Sequence, residues 1–245
     1  MSTSDVPHRF LKATSLVGSI PFKALRTDPR VSYTLYIPPE HYNPDPNRQH
    51  AEHSHDLRAA YQLPLLPLIV SIHSTNRGAE SCRNRLISFA NSSRVAVLAP
   101  LFPAGIDNFN DLDNYKLLRY KSLHSATALF DILEEVKLRW PGLATEQVFM
   151  IGFSGGGQFV QRFLYLYPER LHAVSIGSPG RVTFLDERLA WPAGIKDVAE
   201  VFDGAVINKS KIREVKIQLV VGGADTEVHG GSEFWEWKAR KRKSS

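Results

Sequence analysis

One cysteine and two methionines stand among the 245 residues. A lone thiol, Cys82, leaves no partner for an internal disulfide, which fits a reducing compartment. In a helical stretch it reads as an ordinary packed side chain. Long hydrophobic runs are missing too. The longest are strand-length, short of the ~20 residues that cross a bilayer, so no membrane span is expected. The first residues, Met-Ser-Thr-Ser-Asp-Val-Pro, lack a basic start followed by an apolar stretch, so no secretory signal is expected and the default location is cytoplasmic. There is no internal repeat and no linker of domain scale. The 245 residues therefore suit one domain over 1–245 with a full core. No basic stripe interleaved with aromatics appears, which argues against a nucleic-acid partner.

The composition is that of a folding chain, 43% hydrophobic and 22% charged. Its net charge of +5 is concentrated at the end, where Lys238 to Lys243 holds five basic residues. Such a run can serve as a nuclear address, but a solvated tail over 238–245 is the favoured reading. Residues 40–62 are rich in Pro, Asn and His and read as a long surface loop. His41, His50, His53 and His55 lie there, and His-x-x-His-x-His can hold a metal. No carboxylate pattern completes a site, so no metal or cofactor is expected.

Alternation and apolar runs organise the rest. Phe10–Ile20, Val31–Ile37, Ala173–Ile176 and Val215–Val221 read as strands, as do the buried runs Leu65–Ile72, Val95–Ala99 and Val148–Ile151. Helical spacing appears over Ala79–Asn91, over Tyr115–Trp140 and over Gln158–Tyr167. Strands alternating with helices predict a doubly wound, mostly parallel α/β sheet. Residues 177–211 are irregular, and read as an insertion over the sheet edge after the sixth strand.

Chemistry concentrates at Gly152-Phe-Ser-Gly-Gly156, between an apolar strand and an amphipathic helix. Strand, G-x-S-x-G, helix is the setting of a nucleophile elbow, so Ser154 is the candidate nucleophile. Acyl transfer by serine also needs a base, an orienting acid and an oxyanion hole. Gly155 follows the serine and is the natural first oxyanion donor. The second should come from the turn after the strand ending at Ile72, where His73-Ser-Thr-Asn-Arg-Gly78 stands, and Ser74 or Thr75 is expected there. His73 is expected to brace that turn. Asp225, after Gly222-Gly223 at the end of the last strand, is the candidate acid, with Glu227 in reserve.

Ile72-His-Ser-Thr75, Gly152-Phe-Ser-Gly-Gly156 and Gly222-Gly-Ala-Asp225, in this order, resemble the α/β-hydrolase fold over a core of about Val31 to Asp225. Within it the chain looks most like the esterase and polyester-depolymerase-like groups with an insertion after the sixth strand. The resemblance implies a serine hydrolase of carboxylic ester or related acyl bonds, acting on a small-molecule acyl substrate without a cofactor. It also implies a histidine base after a further helix and strand. Here the chain departs from the pattern, because twenty residues follow Asp225 and His229 is the histidine among them. His229 is thus the candidate base, while His124 and His172 read as ordinary packing or surface residues. The departure keeps two further readings open. One is a weak or inactive hydrolase-fold protein that binds a ligand or partner. The other is an enzyme of the same fold performing lactonisation or carbon–carbon cleavage.

Overall fold

The structure, a computed structural model, describes residues 3–47 and 60–224. Its strands are β1 (Gly18–Ala24), β2 (Ser32–Ile37), β3 (Leu66–Ile72), β4 (Ala96–Leu101), β5 (Leu143–Phe153), β6 (Leu171–Gly177) and β7 (Lys216–Val220). They form one seven-stranded sheet in the order β1-β2-β4-β3-β5-β6-β7. The pairs β1–β2 and β2–β4 are antiparallel, and every other pair is parallel. Between strands run α1 (Ala79–Asn84), α2 (Ile87–Ser93), α3 (Ser125–Arg139), α4 (Gly155–Leu166), α5 (Val198–Val201) and α6 (Lys209–Glu214). This is the doubly wound, mostly parallel α/β sheet that the alternation predicts.

The order places β3, β4 and β5 at the centre. Leu66, Leu68, Val70 and Ile72 of β3 are buried, as are Ala96 to Ala99 of β4. Strands covered on both faces need apolar side chains pointing both ways, which is why these segments are nearly continuous apolar runs. Helix α4 is buried along almost its whole length and packs on β5 and β6. Phe159, Phe163 and Tyr167 stack along it, with ring centroids 5.9 and 5.0 Å apart.

Several expectations need correction. The first strand begins at Gly18, not Phe10, because residues 8–10 form a short 3-10 turn. Leu11 and Val17 nevertheless join the core. The helix expected over Tyr115–Trp140 starts only at Ser125. Asn114–Leu117 is a 3-10 turn, and Leu118 and Lys121 adopt positive φ (65° and 47°), which no helix tolerates. The stretch read as Ala79–Asn91 divides into α1 and α2. The loop expected at 40–62 is not wholly superficial: Tyr42 and Asn43 are buried, and Asn43 Nδ2 donates to the carbonyls of Tyr61 and Leu63 (3.1 and 2.9 Å).

The segment after β6 is irregular apart from α5 and α6, and it is tied down. Arg162 of α4 is buried; its Nε donates to Thr183 Oγ1 (2.9 Å) and its Nη1 to the Lys116 carbonyl (2.6 Å). Thr183 N–H donates to Gln161 Oε1 (2.9 Å), and Trp191 Nε1 donates to the Leu117 carbonyl (3.1 Å). A buried guanidinium needs such acceptors, since an unpaired one is costly. Among the described residues no helix is long and apolar enough to cross a membrane.

Candidate active site at the β5–α4 turn

β5 ends at Phe153 and α4 begins at Gly155, leaving Ser154 alone to reverse the chain. Ser154 takes φ 54° and ψ −113°, a strained conformation for a residue with a side chain. Its surroundings hold it there: its N–H donates to the Gly177 carbonyl (2.8 Å), and its own carbonyl accepts from Gln158 N–H (3.1 Å).

The neighbouring glycines are needed for space. A Cβ on Gly152 would lie 2.4 Å from the Gly156 carbonyl, and one on Gly156 would lie 2.4 Å from the Ile72 carbonyl. Strand, turn and helix therefore meet backbone to backbone, which brings the start of α4 against the carboxyl end of β3. A Cβ on Gly155 would meet Lys116 Cε at 2.6 Å, Tyr115 Oη at 2.7 Å and Thr75 Oγ1 at 3.0 Å. Gly155, the residue after Ser154, thus lies against Thr75 of the turn after β3. Gly155 is the first residue of α4, where N–H groups have no partner within the helix.

The turn after β3 is held from several sides. His73 is fully buried; Nδ1 donates to the Ser74 carbonyl (2.8 Å), and Nε2 accepts from Phe102 N–H (3.1 Å). Those partners assign the proton to Nδ1. Burial lowers the His73 pKa from 6.5 to about 4, so the ring is neutral at pH 7. It packs between Tyr115 and Phe102, with centroids at 4.6 and 5.9 Å. His73 therefore braces the turn, as its position suggested. Tyr115 Oη donates to the His73 carbonyl (2.9 Å), and burial raises the phenol's pKa well above its ordinary value, keeping it a donor. Lys116, also buried, pairs through Nζ with Asp113 Oδ1 (2.5 Å).

Arg77, Tyr115 and Lys116 escaped the sequence reading. Arg77 stands in the right turn but carries no motif, and Tyr115 and Lys116 looked like helix. Asp225, Glu227 and His229 lie outside the described residues, as do His50, His53 and His55. His124 is exposed at the N-cap of α3, and His172 is exposed near the start of β6 beside Phe149. Cys82 is half-buried, and burial raises its thiol pKa. Among the described residues no three His, Cys, Asp or Glu side chains cluster as metal ligands.

Comparison with solved structures bears on the arrangement as a whole. The chain is similar to poly(aspartic acid) hydrolase-1 from Sphingomonas sp. KT-1, at 19% identity and TM-score 0.59, covering 82% of this chain and 70% of that one. It is similar to the poly(3-hydroxybutyrate) depolymerase LpqC from Bordetella parapertussis, at 20% identity and TM-score 0.60, covering 91% and 72%. A third likeness is to the fluorophosphonate-binding serine hydrolase FphF of Staphylococcus aureus, at 13% identity and TM-score 0.50, covering 92% and 96%. The fold is that of the α/β-hydrolases. No family model and no curated protein matches the chain in sequence. In an α/β-hydrolase sheet the Ser154 turn stands at the carboxyl ends of the strands, where this architecture binds its ligands.

Proposed function

We propose that this α/β-hydrolase-fold chain is a serine hydrolase of carboxylic ester or related acyl bonds. The observation that carries the reading is the strained Ser154 turn, held open by glycine-only contacts and packed against the turn after β3. Strain of this kind persists only where surrounding structure enforces it, and it is a pointer to function. The structural neighbours named above, all hydrolases, favour the same class.

In this reading Ser154 Oγ attacks the acyl carbon and the carbonyl oxygen becomes an oxyanion. The Gly155 N–H at the start of α4 is one donor to it. Thr75 N–H is the better second donor than Ser74 N–H. The His73 carbonyl faces Gly156 and accepts from Tyr115, and in a trans peptide that turns Ser74 N–H the other way. The Ser74 carbonyl is held by His73 Nδ1 and by Arg77 N–H, and Thr75 N–H is given to no backbone carbonyl among the described residues. Asp225 is the proposed acid and His229 the proposed base, each on its place in the sequence. The base takes the serine proton, returns it to the leaving group, and then activates water for deacylation. The reading needs no cofactor and takes a small acyl compound as substrate.

Labelling of the purified chain with a fluorophosphonate tests this. Rapid labelling lost in Ser154→Ala and in His229→Ala is the expected result. Loss in Ser154→Ala alone keeps the nucleophile and removes His229 from the site. A folded wild-type chain that takes no label overturns the hydrolase reading in favour of a ligand-binding protein.

A further inference from the structure

We infer that Arg77 is a positioning residue that holds the second oxyanion donor, Thr75 N–H, in place. The inference rests on the serine-hydrolase reading and extends it to a residue outside the triad and the hole. Arg77 occupies the left-handed region (φ 58°), unusual for a side-chain-bearing residue, at the end of the turn begun by Ser74. Its N–H closes that turn on the Ser74 carbonyl (3.1 Å). Its side chain then folds back, and Nη1 donates to the Thr75 carbonyl at 2.6 Å. The other arm of the guanidinium, Nη2, donates to the Leu112 carbonyl (3.0 Å) and to Asn114 Oδ1 (3.2 Å). The carbon at its centre lies 5.1 Å from the centroid of the Tyr115 ring.

The consequence follows from peptide planarity. Two peptide units flank Thr75, and each is held by its oxygen: Ser74 O by the His73 ring and Arg77 N–H, Thr75 O by the Arg77 fork. With both oxygens fixed and both peptides planar, the direction of Thr75 N–H has little freedom left. An oxyanion hole gains its effect from donors already aimed at developing charge, so that no reorganisation accompanies the reaction. The second arm ties the same turn to the 112–114 segment, whose next residues, Tyr115 and Lys116, wall Gly155, the first donor. One planar fork therefore sets the two donors relative to each other. A lysine, a point charge without the fork, reaches one of these acceptors at a time. Arg77 Nε is buried without a partner among the described residues, a cost consistent with a side chain kept for its geometry.

The test compares Arg77→Met and Arg77→Lys with wild type on p-nitrophenyl acetate and on its thiono analogue, whose carbonyl sulfur is a poor hydrogen-bond acceptor. A loss of roughly 10–100-fold in kcat for Arg77→Met is expected, less than the ~10²–10³-fold that follows deletion of an oxyanion donor itself. KM should change little, and the ratio of ester to thionoester rates should fall by a similar factor. Arg77→Lys should recover part of both. Reduced kcat with an unchanged ester-to-thionoester ratio means that Arg77 merely holds the loop, and overturns the inference; so does wild-type kcat in Arg77→Met. If Arg77→Met fails to fold, Arg77→Lys, which keeps the charge but not the fork, carries the same comparison. Ser154→Ala is run beside them. Hydrolysis that survives it sinks the serine reading, whereas hydrolysis lost there but untouched in the Arg77 variants sinks only the role of Arg77.

Discussion

The Ser154 turn and the face of the sheet over β5 to β7 differ sharply in how they are packed. At the turn, backbone meets backbone without room for a single methyl group, and every strained residue has hydrogen bonds on both sides. On the sheet face, Phe149 and Ile151 of β5, Ala173 and Ser175 of β6 and Lys216 and Gln218 of β7 line an apolar groove of about 570 Å³, with Leu86 and Phe89 on its flank. At the edge strand, Leu219 and Val221 are 71% and 70% exposed. The lesson is where close packing is enforced. Glycines and a buried polar network over-determine the turn of the candidate nucleophile, while among the described residues ordinary side chains leave the sheet edge loosely covered.

The contrast predicts a descending series of effects. The largest is chemical. Ser154→Ala should remove fluorophosphonate labelling and any esterase activity, a loss of several orders of magnitude by analogy with other serine nucleophiles. Its melting temperature should change little, because the hydroxyl is not part of the packing described above. Wild-type activity in this variant sinks the assignment.

Next comes the steric limit. Gly156→Ala places a methyl 2.4 Å from the Ile72 carbonyl, which is backbone and cannot step aside. A loss of roughly 3 kcal/mol in urea unfolding is expected, at the upper end for overpacking. A loss below about 1 kcal/mol means that β3 and α4 separate easily, and the contrast between the two regions weakens.

Of similar size, but conditional on pH, is the buried His73. The unfolded chain takes up a proton at this ring below about 6.5, the folded chain only below about 4. The stability that neutral His73 contributes is thus fully present above pH 6.5 and is lost as pH falls from 6.5 to 4. The window corresponds to about 3 kcal/mol. Urea titrations stepped through it should show this loss in wild type and a smaller one in His73→Gln; equal losses remove His73 as the cause.

The smallest effect belongs to the open edge. Leu219→Thr changes an exposed position on β7 and should shift stability by no more than ~0.5 kcal/mol. It should also lower any tendency to self-associate, read by light scattering, since an exposed apolar edge invites pairing. A loss above 2 kcal/mol indicates that this edge is covered in solution.

Legibility followed physical cause. The central strands β3 and β4 were readable because nearly continuous apolar runs leave few other options. The Ser154 turn was readable because only glycine tolerates such contacts, so the constraint is written in residue identity. The helix expected from Tyr115 was misread because Leu118 and Lys121 take positive φ without glycine's signature. The surface character of 40–62 was overstated because Tyr42 finds its core only through long-range packing. The braces of the site were illegible for the same reason: Arg77 acts through Thr75 and Leu112, and Tyr115 reaches back 42 residues to the His73 carbonyl.

From residue order alone came the alternating layers, the place of Ser154 between strand and helix, and the candidate partners Gly155 and either Ser74 or Thr75, all products of local pattern and of glycine's missing side chain. The fold alone established that Thr75 meets Gly155, that His73 is a neutral brace, and that Arg77, Tyr115 and Lys116 belong to the same cluster. Those facts depend on which distant segments share a sheet edge and on how burial shifts a proton, and neither is encoded at any single position in the chain.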